Sequence, residues 1–155
     1  MASHGVRKLG LITGIFMLLF LFIETFLPVD LYIVAMPSST GGVVKFYSWG
    51  YVDGTMAVNM LTLPIESAPI AWVTTVFFFA AAVMTIAAST PGSISANSKR
   101  LFAISATFCS AHVLVYVFML ALSPVAPLFF TLAGPGFYSL LAFVASSIIS
   151  WVKVQ

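Results

Sequence analysis

The sequence predicts an all-α integral membrane protein: an antiparallel bundle of four transmembrane helices with an extracytoplasmic β-hairpin-like segment between helices 1 and 2. Three observations predict it. Of the 155 residues, 61% are hydrophobic and only 6% are charged, whereas a soluble domain carries roughly 25% charged residues because water must wet its surface. Four apolar stretches are each long enough to cross a hydrocarbon core about 30 Å thick. An aromatic, β-branched stretch separates the first of them from the second.

The apolar stretches form one membrane domain that covers residues 1–155. We expect helices, because a lone strand cannot satisfy its backbone groups in lipid. The first span covers 9–28, or 9–36 if the helix tolerates Pro28, and the others cover 69–89, 101–122 and 125–152. The first run imitates a signal peptide, but it is longer than a usual apolar h-region and no cleavage pattern of small residues follows it. We therefore expect a retained first span.

The basic residues predict the orientation. With four crossings, Lys45 stands alone on one side of the membrane, and the other basic residues share the opposite side: Arg7, Lys8, Lys99, Arg100 and Lys153. Because cytoplasmic loops carry an excess of lysine and arginine, we expect both termini in the cytoplasm and the protein in the cell (plasma) membrane.

The longest connection, residues 37–64, is predicted to carry β-structure outside the membrane. Asp53-Gly54 is a two-residue turn signal between strand-like residues, so we expect a hairpin in which Val52 pairs with Thr55. An isolated hairpin is marginal in water and needs a surface to lie on. That surface is either the protein's own helix bundle or a neighbouring subunit. The aromatic residues that would make this contact are Tyr47, Trp49 and Tyr51.

Small residues at four-residue spacing predict close helix packing, since lipid supplies no hydrophobic drive between helices. They occur in three spans: Gly10 and Gly14 in the first, Ala103, Thr107 and Ala111 in the third, and Ala142, Ser146 and Ser150 in the fourth. The same faces would serve contacts between copies of the chain equally well. In the fourth span we expect a kink at Gly134-Pro135-Gly136, because proline removes one backbone donor and clashes with the preceding turn.

Two ionisable side chains lie inside the apolar spans, Glu24 and His112. A charge at the bilayer centre costs about 3 kcal/mol even on the gentlest insertion scale, and the depths of the two residues permit a hydrogen bond between them. One interpretation is a structural polar clasp, assisted by Tyr116 or Ser110. The functional alternatives are a pair that handles protons or ions, and haem ligation by His112 with a second ligand from a partner chain.

Two further acids, Asp30 and Glu66, lie at the membrane boundaries, where we expect them to be solvated or paired with Lys45.

Catalytic machinery is not expected in this chain. The sequence has no nucleophile elbow, P-loop, HExxH motif or dinucleotide fingerprint, and its single cysteine, Cys109, excludes an internal disulfide or a multi-cysteine metal site. No basic stripe is available for nucleic acid. We therefore predict no catalytic residues, no metal, no cofactor and no enzyme activity of the chain alone.

The arrangement of four spans with a β-structured outer segment that contains Trp49-Gly50 resembles that of the claudin-like tetraspans. Their paired loop cysteines have no counterpart here, so the likeness is one of plan and we assign no family. The preferred function is a non-catalytic structural or accessory subunit of a multi-subunit membrane complex, such as a respiratory or other energy-converting complex. The alternatives are a small proton- or ion-linked channel or transporter, and a self-associating tetraspan lattice protein. The expected partners are membrane lipid and either other membrane subunits or copies of the chain.

Overall fold

The computed structural model describes residues 4–27, 30–38, 41–54, 56–59, 69–90, 95–122 and 128–154. Within these ranges, four helices are long and apolar enough to cross a membrane, and a small antiparallel sheet lies between the first two of them in the chain. The elements in chain order are α1 (His4–Phe26), β1 (Val34–Pro37), β2 (Val43–Tyr47), β3 (Gly50–Asp53), β4 (Met56–Asn59), α2 (Pro69–Ser89), α3 (Ser95–Ala121), α4 (Phe129–Leu132) and α5 (Pro135–Lys153).

The four long helices run alternately up and down. Near the start of α1, Arg7 donates a hydrogen bond to the carbonyl oxygen of Thr90, just after the end of α2. At the same end of the bundle, Val154 after α5 clusters with Ala88 of α2 and Phe102 of α3. The described ends of the chain therefore lie together, at the end of the bundle opposite the sheet.

Helix α1 ends at Phe26, and the predicted extension of the first span to residue 36 is wrong. Residues 34–37 instead form strand β1. Pro28 accounts for this difference, because the residue before a proline is pushed out of the helical region of backbone space. Helix α2 has the bounds 69–89 that the sequence predicted, and α3 begins six residues before the predicted span, at Ser95.

The outer segment is a four-stranded meander in the order β1-β2-β3-β4, so the prediction of a single hairpin was incomplete. The hairpin register was also wrong, because Asp53 pairs with Met56 and Val52 pairs with Ala57. Gly54 adopts a φ of +59° at this turn, a conformation open to glycine because it lacks a Cβ. Trp49 lies in the turn between β2 and β3 rather than in a strand.

The sequence predicted a helix kink at Gly134-Pro135-Gly136, and this prediction is wrong. The motif instead separates two helices. Helix α4 ends at Leu132 and α5 begins at Pro135. At the first position of a helix, the missing N–H of proline has no intrahelical partner to lose, and its fixed φ already suits the helix. The predicted fourth span of 125–152 is therefore broken, and its residues 125–127 lie outside the described residues.

The two glycines of this motif let α5 dock directly on the backbone that leads into β1. The Gly134 N–H donates to the carbonyl oxygen of Ile33 at 2.8 Å, and the Gly136 N–H donates to that of Tyr32 at 3.1 Å. A Cβ on either glycine would collide with backbone oxygens of residues 31–32. Val34 also forms an isolated β-bridge with Ala133, so the sheet is tied to the beginning of α5.

Only part of the predicted small-residue packing lies inside the bundle. A Cβ on Gly14 would stand 2.6 Å from Cγ1 of Ile86 and 3.0 Å from the carbonyl oxygen of Ala82, so α1 and α2 approach closely at this point. Gly10 lies in the same way against Ser89 and Phe102.

The predicted small residues of α5 and α3 divide between the inside and the outside of the bundle. In α5, the Ser146 hydroxyl accepts a hydrogen bond from Thr13 of α1 at 3.1 Å, Ser150 is buried and Ala142 is exposed. In α3, by contrast, Thr107 is exposed and bonds back to its own helix, and its small neighbours Ala103 and Ala111 are half-buried.

The main core lies where the sheet meets the bundle. It combines buried side chains from the start of β1 and from all four long helices, among them Ile33, Met17, Phe78, Tyr116 and Phe137. Burying a large apolar side chain contributes about 1.5–3 kcal/mol when the alternative is water. Because Ile33 and Val34 belong to this core, the sheet is packed into the end of the bundle.

We predict that Gly136→Ala destabilises the protein by about 2–3 kcal/mol. The added Cβ meets backbone atoms, which cannot move aside as a flexible side chain would, and overpacking of this kind costs about 1–3 kcal/mol. Lifting α5 away also weakens two backbone hydrogen bonds, each contributing about 1 kcal/mol. The measurement is thermal or denaturant unfolding of the purified protein in detergent.

Gly42→Ala is the matched control, because a Cβ at Gly42 meets nothing within 4 Å. Its expected change lies within about 0.5 kcal/mol. Equal stability of the Gly136 and Gly42 variants would contradict close docking of α5 on the sheet.

Candidate functional site

The candidate site is built around the turn between β2 and β3, which is held by side chains from three helices. Ser48 of this turn lies at the centre of these contacts. From α3, the Tyr116 hydroxyl donates to the carbonyl oxygen of Tyr47 at 2.7 Å. From α1, the Glu24 carboxylate accepts the backbone N–H of Ser48 at 3.3 Å. From α2, the Thr75 hydroxyl lies 3.0 Å from the Ser48 carbonyl oxygen and 2.7 Å from the Ala71 carbonyl oxygen of its own helix, so its one proton is shared between two acceptors. The turn is thus bonded to α1, α2 and α3, whereas α5 docks on the backbone that leads into β1.

A fourth bond closes the turn on α1. The indole N–H of Trp49 donates to the backbone carbonyl oxygen of Glu24 at 2.8 Å. This carbonyl belongs to the last turn of α1, where the last four C=O groups have no partner in their own helix. The tryptophan therefore caps the helix and fixes the turn at the same time.

An ion pair lies outside the turn, at the rim of the sheet. The Lys45 ammonium binds the Asp30 carboxylate at 2.5 Å, so of the two expectations for Asp30, solvation or pairing with Lys45, the structure shows the pairing. The Tyr47 hydroxyl donates to the other Asp30 oxygen at 3.1 Å. Burial, and then this hydrogen bond, raises the pKa of Tyr47 from 10.0 to about 12, so the phenol remains a donor throughout the physiological range. Glu66, the other boundary acid, lies outside the described residues.

Glu24 is almost fully enclosed, with 4% of its surface exposed. One carboxylate oxygen, Oε2, accepts the Ser48 N–H, and Oε1 has no hydrogen-bond partner among the described residues. The sequence predicted a hydrogen bond between Glu24 and His112. This prediction is wrong, because Glu24 bonds Ser48 and His112 bonds Thr74. The early end of α1 explains the difference, since it places Glu24 in the last turn of the helix, directly beneath the sheet.

His112 lies deeper in the bundle and is fully buried. Its Nδ1 lies 3.0 Å from the carbonyl oxygen of Thr74 on α2. Because a carbonyl can only accept, Nδ1 carries the proton of this hydrogen bond, and Nε2 has no hydrogen-bond partner among the described residues. The rings of Phe78 and Tyr116 lie 5.2 and 5.3 Å from the imidazole ring.

The packing around His112 does not fit haem ligation in this arrangement, since Nε2 is enclosed by protein. A haem iron could reach it only if the helices separated. Among the described residues, no group of three or more His, Cys, Asp or Glu side chains could hold a metal ion.

The three aromatic candidates for partner contact all touch their own chain. Tyr47 is buried, and its ring stacks on that of Trp49 with centroids 5.1 Å apart. Tyr51 is half-buried, lies against Phe46 of the neighbouring strand and packs on Ala71 of α2. These contacts favour the interpretation in which the aromatic segment covers the protein's own bundle.

A cavity of about 280 Å³ opens between the last turn of α1 and the sheet. Its walls include two acids, Glu24 and Asp30, and the two stacked rings of Tyr47 and Trp49. Sequence reasoning did not predict this cavity, because its walls come from three separate segments of the chain. The sequence did draw attention to Trp49, Glu24 and Asp30 separately, but nothing in it indicated that the three residues border one cavity.

The sequence also did not reveal the residues to which Glu24, His112 and the helices around the turn are bonded. Ser48, Thr74 and Thr75 contribute mainly through backbone groups and a short hydroxyl, and such contributions leave no pattern in the sequence. Tyr116 was expected only to assist a polar clasp between Glu24 and His112. Its hydroxyl bonds the sheet instead, and its ring packs beside the imidazole.

Comparison of the chain with protein-family models, with curated proteins and with solved structures found no significant match. The functional interpretation therefore depends on the geometry of the bundle and the sheet.

We predict that Tyr116→Phe lowers the free energy of unfolding by about 1–3 kcal/mol. The substitution keeps the ring but removes the hydroxyl, and the buried Tyr47 carbonyl then loses its donor, a loss of this size. Hydrogen exchange of the β2–β3 turn amides should also become faster, because the turn loses its bond to α3.

Tyr138→Phe provides the matched control, because this tyrosine of α5 is 52% exposed. We expect its unfolding and its exchange rates to equal those of the unmodified protein. If Tyr116→Phe behaved in the same way as Tyr138→Phe, the Tyr116 hydroxyl would not hold the sheet.

Proposed function

We propose that the chain is a non-catalytic structural or accessory subunit of a multi-subunit membrane complex, such as a respiratory or other energy-converting complex. One observation carries this proposal: buried polar groups of the outer half of the bundle bond the sheet or a neighbouring helix. Glu24 and Tyr116 hold the β2–β3 turn, and His112 joins α3 to α2. This arrangement favours a rigid scaffold that presents a fixed sheet at one membrane surface.

The outer faces of the bundle fit a subunit that is surrounded by lipid or by other membrane chains. Each long helix carries large exposed apolar side chains, including Phe16, Phe79, Phe118 and Ile149. The described basic side chains Lys8, Lys99, Arg100 and Lys153 are exposed and belong to the end of the bundle opposite the sheet. The positive-inside rule then favours cytoplasmic termini and an extracytoplasmic sheet, an orientation that fits the plasma membrane.

Self-association into a lattice of tetraspans is a variant of the scaffold role. The half-exposed and exposed small residues on α3, Ala103, Thr107 and Ala111, allow a second helix to approach closely. In this variant the partners are copies of the same chain.

We expect gentle extraction from the native membrane to yield a discrete complex that contains other chains besides this one. The measurement is native mass spectrometry with identification of each chain, together with an absorption spectrum. Foreign partners in fixed stoichiometry would support an accessory subunit and would indicate the function through their identities. A homo-oligomer without pigment would contradict that role and favour the lattice protein, whereas a Soret band would favour haem.

A proton- or ion-linked transporter is the second candidate. Two enclosed atoms favour it: Glu24 Oε1 and His112 Nε2 have no hydrogen-bond partner among the described residues. Unpartnered buried polar atoms of this kind recur at functional sites and at sites of ordered water.

For the scaffold role, we expect liposomes containing the purified protein to conduct protons no faster than empty liposomes. A pH-sensitive dye inside the vesicles measures the flux after a potassium diffusion potential is imposed. Proton flux that is present in the unmodified protein and abolished in a folded Glu24→Gln variant would establish transport and overturn the purely structural role.

A further inference from the structure

The cavity beneath the sheet combines a buried acid with an aromatic wall. Its volume of about 280 Å³ lies just below the range of about 300–1,000 Å³ that is typical of drug-sized ligand sites, which suits a smaller ligand. Glu24 reaches it from α1, Tyr47 from β2 and Trp49 from the following turn. Since the walls belong to elements that are bonded to one another, the cavity is a preformed part of the fold.

Of the two acids of the cavity, only Asp30 has a cationic partner among the described residues. Asp30 is neutralised by Lys45 and also accepts the Tyr47 hydroxyl. Glu24 makes no ion pair among the described residues and is enclosed, and both its Oε1 and the hydroxyl of the adjoining Ser48 have no hydrogen-bond partner there. The terminal torsion of a glutamate is broad and nearly two-fold, so a small rotation can present the free oxygen to the cavity. A bound cation would supply both the missing charge and the missing donor.

The aromatic wall is suited to the same kind of ligand. The rings of Tyr47 and Trp49 are stacked with an interplanar angle of 14°, and both are held in place, by Asp30 and by the Glu24 backbone respectively. The face of an aromatic ring attracts a cation within about 6 Å of its centroid. A fixed pair of rings loses little conformational freedom when a ligand binds.

We propose that this cavity is a binding site for a small organic ammonium ion, whose N–H groups donate to Glu24 and whose alkyl chain lies along Tyr47 and Trp49. A divalent metal fits less well, because Ca²⁺ requires about six to eight oxygen ligands and Glu24 provides the one acid of the cavity that no described cation neutralises. The site is independent of the scaffold role, and either can fail without the other.

The first experiment titrates n-butylammonium into the purified protein and follows the fluorescence of Trp49 in a chain that carries Trp72→Phe and Trp151→Phe. The neutral 1-butanol, which has the same carbon chain, is the control ligand. We expect a saturable change with n-butylammonium and at least tenfold weaker binding of 1-butanol. Glu24→Gln, which keeps an acceptor oxygen for the Ser48 N–H, should weaken n-butylammonium binding at least tenfold.

Asp53→Asn is the matched control variant, because it also converts an acid of the sheet to its amide and Asp53 is not among the cavity-lining residues. Its affinity for n-butylammonium should remain unchanged. An absence of saturable binding, equal binding of 1-butanol, or a folded Glu24→Gln variant with unchanged affinity would each overturn the proposal.

A second measurement does not depend on folding of the Glu24 variant. In the unmodified protein, dicyclohexylcarbodiimide should label the Glu24 carboxyl, and mass spectrometry locates the adduct. We expect saturating n-butylammonium to reduce the labelling at least threefold and 1-butanol to leave it unchanged. Labelling of Glu24 that n-butylammonium does not slow would contradict an ammonium site at this carboxylate.

Discussion

The attachment of the β2–β3 turn to three helices is the interaction on which the rest of the structure depends. Two strands of this size are marginal in isolation, and a small sheet becomes stable when it packs on another element. Here the support is polar as well as apolar. The carbonyl of Tyr47 and both backbone groups of Ser48 meet side chains from α1, α2 and α3. The position of the sheet and the spacing of the helices at this end are therefore determined together.

A second attachment binds the remaining helix. Because Gly134 and Gly136 lack a Cβ, the start of α5 can approach the backbone of residues 31–33 and bond it. This contact satisfies backbone groups near the end of the bundle, and an unsatisfied group of this kind would cost several kcal/mol if it lay in lipid. Every long helix is thus linked to the outer segment, which explains why the main core lies at the junction between them.

This construction limits the functional interpretation. In a membrane bundle, polar side chains are uncommon and usually have a purpose, and most of those in the outer half of this protein hold the sheet. Glu24 both holds the turn and borders a cavity with two fixed aromatic rings, and only one of its two carboxylate oxygens is used among the described residues. A scaffold that also recognises a small cation is the combination that these contacts favour.

The sequence by itself determined the number and the approximate positions of the long apolar helices, their alternating topology and the presence of β-structure between the first two of them. These features follow from local composition, because apolar length identifies a span and a turn residue such as Gly54 identifies a hairpin. Only the tertiary structure decided the end of α1, the two additional strands, the partners of Glu24 and His112 and the role of Gly134-Pro135-Gly136. Those features depend on which backbone groups meet across the fold. Because almost every residue carries the same backbone N–H and C=O groups, the sequence does not indicate which of them will pair.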